Sequence, residues 1–162
     1  MNKIIKILLS IILMCLAFTS FGAQDSQTLF GQIERVSQER EPKWKISRKL
    51  ILRNSKHISI RWKSGKSYVQ MLIERLDSPK EAADMFEGFN SEIMEAYRTA
   101  ESSQYSKTEL PNLGDKNYLW SHRKAGASIL LRKGNAFVML IAPSIDVAKR
   151  FAQLVADQLP AT

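Results

Sequence analysis

Hydrophobic and polar positions change period several times along the chain, and each change predicts an element. Residues 26–38 carry Leu29, Phe30, Ile33 and Val36 at i, i+3/i+4 spacing, which predicts a short amphipathic helix ended by Glu39-Arg40-Glu41-Pro42. Trp44, Ile46, Leu50 and Leu52 share a period of two over an irregular strand through about 44–53. His57–Lys63 alternates cleanly, with Ile58, Ile60 and Trp62 on one face and His57, Ser59, Arg61 and Lys63 on the other. Ser64-Gly65 turns the chain into Tyr68–Leu76, a more continuously apolar run of the kind a central strand shows.

Ser78-Pro79-Lys80-Glu81 is the sharpest local signal. Serine at the N-cap, proline at the first helical position and glutamate at the third form a capping box that satisfies donors the first turn leaves open. Ala82, Phe86, Phe89, Ile93 and Tyr97 follow as the apolar stripe of a helix of about five turns. Gly88 within it is read as a point of close approach to a sheet. Residues 100–113 read as a polar loop, and Asn117–Lys124 as another strand. Gly134-Asn135 separates the apolar runs Ile129–Leu131 and Phe137–Ala142, the short-range signature of a hairpin. Pro143 stops the second run, Ser144 offers an N-cap, and Val147, Ala148, Phe151, Val155 and Leu159 recur at helical spacing behind it.

The two halves correspond. Gly65-Lys66-Ser67-Tyr68-Val69, an apolar strand, Ser78 and Phe86 match Gly134-Asn135-Ala136-Phe137-Val138, an apolar strand, Ser144 and Phe151. The expected fold is therefore α+β: a single antiparallel sheet of five or six strands, two similar hairpin-helix halves with both long helices on one face, and a short N-terminal helix. Phe86 and Phe151 are expected to face the sheet and be buried.

Residues Gly114–Trp120, Arg132–Val138 and the helix after Ser144 with Ala148-Lys149-Arg150-Phe151-Ala152 resemble a family of uncharacterised exported bacterial proteins. In the order of its elements the chain is also similar to PsbP-like α+β sandwich domains. The first resemblance covers roughly the last third of the chain, and neither implies an activity.

The N-terminus adds a compartment. Met1–Lys6 is a short cationic stretch, and Ile7–Phe18 is apolar over about a dozen residues, below the roughly 18–20 that span a bilayer. Ser20-Phe21-Gly22 fits a signal peptidase, so residues 1–22 are expected to be a cleaved signal peptide and 23–162 a single domain, exported to the bacterial periplasm or beyond the cell. Cys15 does not sit in a lipidation motif, because Met14 precedes it and apolar residues follow. Its loss leaves a cysteine-free mature chain, with no disulfide and no thiolate metal site. Lys3 and Lys6 leave with no acid, so the net charge of +8 falls to +6.

Candidate chemistry is sparse. His57 and His122 are the two histidines, far apart and without a neighbouring carboxylate in their strands, and no cofactor fingerprint is present. Ser121, His122 and Asp115 lack a nucleophile elbow or a glycine-rich oxyanion loop. The acids of the first long helix, Asp84, Glu87, Glu92 and Glu95, read as a solvated face. No enzyme and no cofactor is expected.

Charge placement says more. Between Glu41 and Glu74 no acid occurs, while Lys43, Lys45, Arg48, Lys49, Arg53, Lys56, Arg61, Lys63 and Lys66 are all basic. Between Asp115 and Asp146 the charged residues are Lys116, Arg123, Lys124, Arg132 and Lys133. With both helices on one face, the other would be basic, and His57, Arg61, Lys63, Lys66, Arg123, Arg132 and Lys133 are the candidate anion-binding residues. A positive face that merely keeps the protein soluble and its edges unpaired is the competing reading. The expected function is an exported, non-catalytic binding module for an anionic membrane surface, envelope polymer or acidic protein. Nucleic acid is not expected of an exported protein, although Trp62 and Tyr118 near the basic positions are of the type that stacks on bases. The alternative is a small-molecule carrier or hydrolase-type enzyme with a pocket between helices and sheet.

Overall fold

A computed structural model describes residues 26–51, 57–99, 105–122 and 126–160, without the side chains of 96–99 and 122. The signal-like segment 1–22 and the cations Arg53, Lys56, Arg123 and Lys124 lie outside the described residues. The elements run α1 (Ser26–Arg40), β1 (Lys45–Ile51), β2 (His57–Ser64), β3 (Ser67–Arg75), α2 (Pro79–Thr99), β4 (Tyr105–Thr108), β5 (Lys116–His122), β6 (Gly126–Lys133), β7 (Ala136–Ala142) and α3 (Ile145–Ala156). The strands form one antiparallel sheet in the order β1-β2-β3-β7-β6-β5-β4.

Two expectations need correction. The sheet has seven strands rather than five or six, and the addition is β4, from the stretch read as a polar loop. Its sequence, Tyr-Ser-Lys-Thr, shows no apolar alternation. Pairing along β5 holds it at the sheet edge, where the hydroxyls of Ser106 and Ser121 also meet at 2.7 Å.

The second correction concerns the helices, which lie on opposite faces. One face carries Ile58, Ile60, Trp62, Val69, Met71, Ile73, Ile129, Leu131, Val138 and Leu140 under α1 and α3. The other carries Leu130 and Phe137 under α2, with Met85, Phe89, Ile93, Tyr118 and Met139 around them. The cause is the continuous apolar run of β6 and β7. Leu130 and Phe137 point away from Ile129, Leu131 and Val138, so both faces there must be covered. The strands of the two halves still correspond, Tyr68 with Phe137 and Val69 with Val138 each on the same face. Their helices do not: a two-fold axis relating the antiparallel neighbours β3 and β7 would leave both helices on one face.

Local chemistry agrees with the expected boundaries. Ser78 Oγ accepts from the Glu81 amide at 3.2 Å, and the Glu81 carboxylate accepts from Asp77 N, one residue earlier than a standard capping box, at 3.1 Å. Ser144 Oγ accepts from Val147 N at the start of α3. Phe86 and Phe151 are buried as expected, on opposite faces of the sheet. Phe151 lies 5.0 Å from the Trp62 ring and 5.7 Å from that of Trp44, and Trp62 Nε1 donates to Ser37 Oγ at 3.2 Å. Two ion pairs join the α1 end to α3, Arg40–Asp157 at 2.7 Å and Glu41–Arg150 at 2.5 Å.

Gly88 is not a point of close approach to the sheet: a Cβ there would meet nothing within 4 Å, and the same holds for Gly31 in α1. Both sit in helices, where glycine is about 1 kcal/mol less favourable than alanine. Gly31→Ala and Gly88→Ala should each raise stability by roughly 0.5–1 kcal/mol, read as a higher denaturant midpoint with an unchanged slope.

Candidate functional site

Among the described residues, the α2 face of the sheet is only half covered. α2 packs on β6 and β7, and Phe86 reaches Tyr118 of β5 with ring centroids 5.3 Å apart. Over β1, β2 and β3 on this face no described helix packs, since α1 contacts β1 and β2 from the opposite side. The bare half is one helix-diameter wide and is bounded along one side by α2.

Cross-strand register fixes what the bare half presents. Lys45 lies directly opposite Lys63, and Arg48 directly opposite Arg61. Like charges so placed are destabilising. Arg61 is held in place: Nη2 donates to Gln70 Oε1 at 2.7 Å, and its guanidinium lies 5.4 Å from the Tyr68 ring. Its Nε is buried without a hydrogen-bond partner. Lys45, Arg48 and Lys63 are exposed. Among the described residues Glu74 is the one acid of the patch, and it is engaged by His57, Nδ1 to Oε1, at 2.5 Å. Apolar residues share the surface: Tyr68, Leu50 and Ile141 are 51%, 47% and 42% exposed.

A bulge assembles this patch. In an unbroken strand Lys45 and Arg48 would point to opposite faces, and Ile46 and Leu50 to the same one. The register shifts between Ile46 and Arg48, where Ser47 Oγ donates to the Arg61 carbonyl at 3.1 Å. Both cations then point to the bare face, Ile46 stays under α1, and Leu50 turns out with the cations. The period-two reading of Trp44, Ile46, Leu50 and Leu52 missed this. A serine flanked by Ile and Arg carries no sequence mark of a bulge.

The other candidate residues are scattered. Lys66 sits in the β2–β3 turn beside a surface groove of about 310 Å³ that also involves Tyr68, Gly126, Ile141 and Pro143. Arg132 shares the α2 face but lies beyond Phe137, directly opposite Lys116. There Glu109, 3.1 Å away, holds the Lys116 ammonium above its ordinary pKa. Lys133 is on the opposite face, where Nζ donates to the Ala156 carbonyl at the end of α3 at 2.8 Å. Trp62 is fully buried against Phe151 and presents no stacking surface. Tyr118 is packed on Phe86 and covered by the Lys107 ammonium, 3.5 Å from its ring centroid.

A second surface groove, of about 440 Å³, runs along the β3 side of α2 between Leu76, Met85, Gly88 and Phe89, with Glu81, Asp84 and Glu92 at its rim. No group of three His, Cys, Asp or Glu residues suited to a metal ion occurs among the described residues, and no described helix is long and apolar enough to cross a membrane. Comparison with protein-family models, with curated proteins and with solved structures finds no match to the chain.

Proposed function

We propose that this protein is an exported, non-catalytic binding module that takes an anionic envelope component on the bare half of its sheet. The observation that carries the reading is the direct cross-strand opposition of Lys45 to Lys63 and of Arg48 to Arg61. Solubility does not require directly opposed cations, and edge protection requires none on β2, which is paired on both sides. A concentrated positive potential is what such a placement provides, and it attracts an anion. The height of α2 beside the patch favours a narrow, elongated partner over a flat membrane surface. The signal-like N-terminus supports the compartment.

The test is binding of a linear anionic polymer, polyglutamate or dextran sulfate, with anionic vesicles in parallel. Polymer binding should fall steeply between low and physiological salt as screening shortens. Arg61→Glu with Lys63→Glu should abolish it. Arg35→Glu with Lys149→Glu, which change net charge equally at exposed sites on α1 and α3, should leave most of it. Arg150 is unsuitable as a control because it pairs with Glu41. Equal loss from both double reversals would reduce the effect to bulk charge and remove the proposed site.

A further inference from the structure

We infer that the bare half of the sheet is also the docking site for α2 of a second copy of this chain, in a two-fold dimer. The inference rests on the anion-recognising face proposed above and names one partner for it. Two independent features point there.

The first is shape. On a single face each molecule carries a ridge one helix wide, α2, and beside it a trough of three strands. At about 4.8 Å between strands and 3.3 Å per residue, the trough measures roughly 14 by 25 Å. An α-helix is about 10 Å across and α2, with 21 residues, about 30 Å long. Two copies facing each other place each ridge in the other's trough, so that the two α2 helices form one layer between two sheets. This contact is isologous and closes on itself. Counting ridge and trough on both copies, it buries roughly 1,400 Å², within the ~1,200–2,000 Å² of stable interfaces.

The second is charge. α2 carries Glu81, Glu87, Glu92 and Glu95 against Arg98, with Lys80 and Asp84 paired to each other at 2.7 Å. The trough carries Lys45, Arg48, Arg61 and Lys63, and its one acid is engaged by His57. Apolar surface is present on both sides, Met94 on the ridge at 50% exposure and Leu50, Tyr68 and Ile141 in the trough.

Sedimentation of the purified protein at low and high salt tests this. The expected result is a doubled mass at low salt that reverts to the monomer mass at high salt. Arg48→Glu, Arg61→Glu and Lys63→Glu together turn the trough negative, and Asp84→Lys with Glu87→Lys turns the ridge positive. Each of these variants alone should lose the dimer. Mixed one to one they should regain it as a heterodimer, because each ridge then meets a trough of opposite sign. A fold defect in either variant would not be repaired by mixing, and circular dichroism checks the folds directly. Monomer at every salt concentration, or no heterodimer from two folded variants, overturns the dimer. If the monomer still binds polyglutamate through Arg61 and Lys63, the proposed function stands without it. A dimer whose mass added polyglutamate does not alter upholds this inference and removes the envelope component from the proposed function.

Discussion

Phe151→Ala should destabilise the protein by about 3–5 kcal/mol, the range for deleting a fully buried aromatic ring. Phe151 is 0% exposed and stands between Trp44 and Trp62. Movement of the neighbouring indoles into the space it would leave is restricted. Trp62 is pinned by its bond to Ser37, whose hydroxyl in turn donates to the Glu34 carbonyl, and Trp44 is tied to the end of α1 through its amide and the Glu41 carbonyl. The residual cavity therefore stays open, which places the loss in the upper part of the range. Phe86→Ala should fall lower. Besides Leu130, Phe137 and Tyr118 of the sheet, its surroundings include the half-buried side chains Met85, Phe89 and Ile93 of its own helix, which can close over part of the gap. Denaturant midpoints of the two variants check both the size and the order, and an equal loss would show that the α2 face is as tightly packed as the α3 face.

Asn117→Ala should cost about 3 kcal/mol or more without removing any apolar contact. Asn117 is 3% exposed, and its amide accepts from Leu110 N at 2.8 Å and donates to the carbonyls of Leu110 at 2.9 Å and Leu113 at 2.8 Å. Alanine would leave three backbone groups unpaired, each at roughly 1–3 kcal/mol when buried. They hold a loop in which Asn112 takes φ 57° and Gly114 takes φ 67°, with the Gly114 Cα against the Arg132 carbonyl and the Leu131 side chain. Asn117→Asp keeps the acceptor for Leu110 but turns a carboxylate toward two carbonyls. That variant should be less stable than the parent at neutral pH and regain part of the loss as acid protonates the carboxyl, because only the protonated form can donate. Stability measured at pH 7 and pH 4 checks the sign, and a variant that weakens on acidification faster than the parent would contradict the assigned orientation of the amide.

The sequence announced its elements better than their arrangement. Period and capping residues are local, and Ser78, Pro79, Ser144 and Gly134 mark boundaries that the structure keeps within a few residues. Which face a helix covers is not local. The clue was available in Ala136–Ala142, an apolar run without alternation, which demands cover on both sides, whereas the clean alternation of His57–Ser64 permits one bare side. Read together, those two strands imply a sheet sandwiched at one half and open at the other. The β4 strand was illegible because pairing with β5, and no pattern of its own, makes it a strand. Arg61, Lys63 and His57 could be placed by alternation alone. Lys45, Arg48 and Leu50 could not, since a single extra residue in β1 reverses the parity of everything beyond it.

The ring cluster around Phe151 also bears on when the chain can fold. Trp44 and Trp62 are made early in synthesis, but the side chain that fits between them belongs to the last helix. The central strand pair, β3 with β7, likewise joins segments separated by the whole of α2 and three further strands. Such distant pairings make for slow folding. They also leave no subset of the emerging polypeptide able to close the larger core before residue 151 is available. A nascent chain of this design should lack a closed larger core until its last helix has been made.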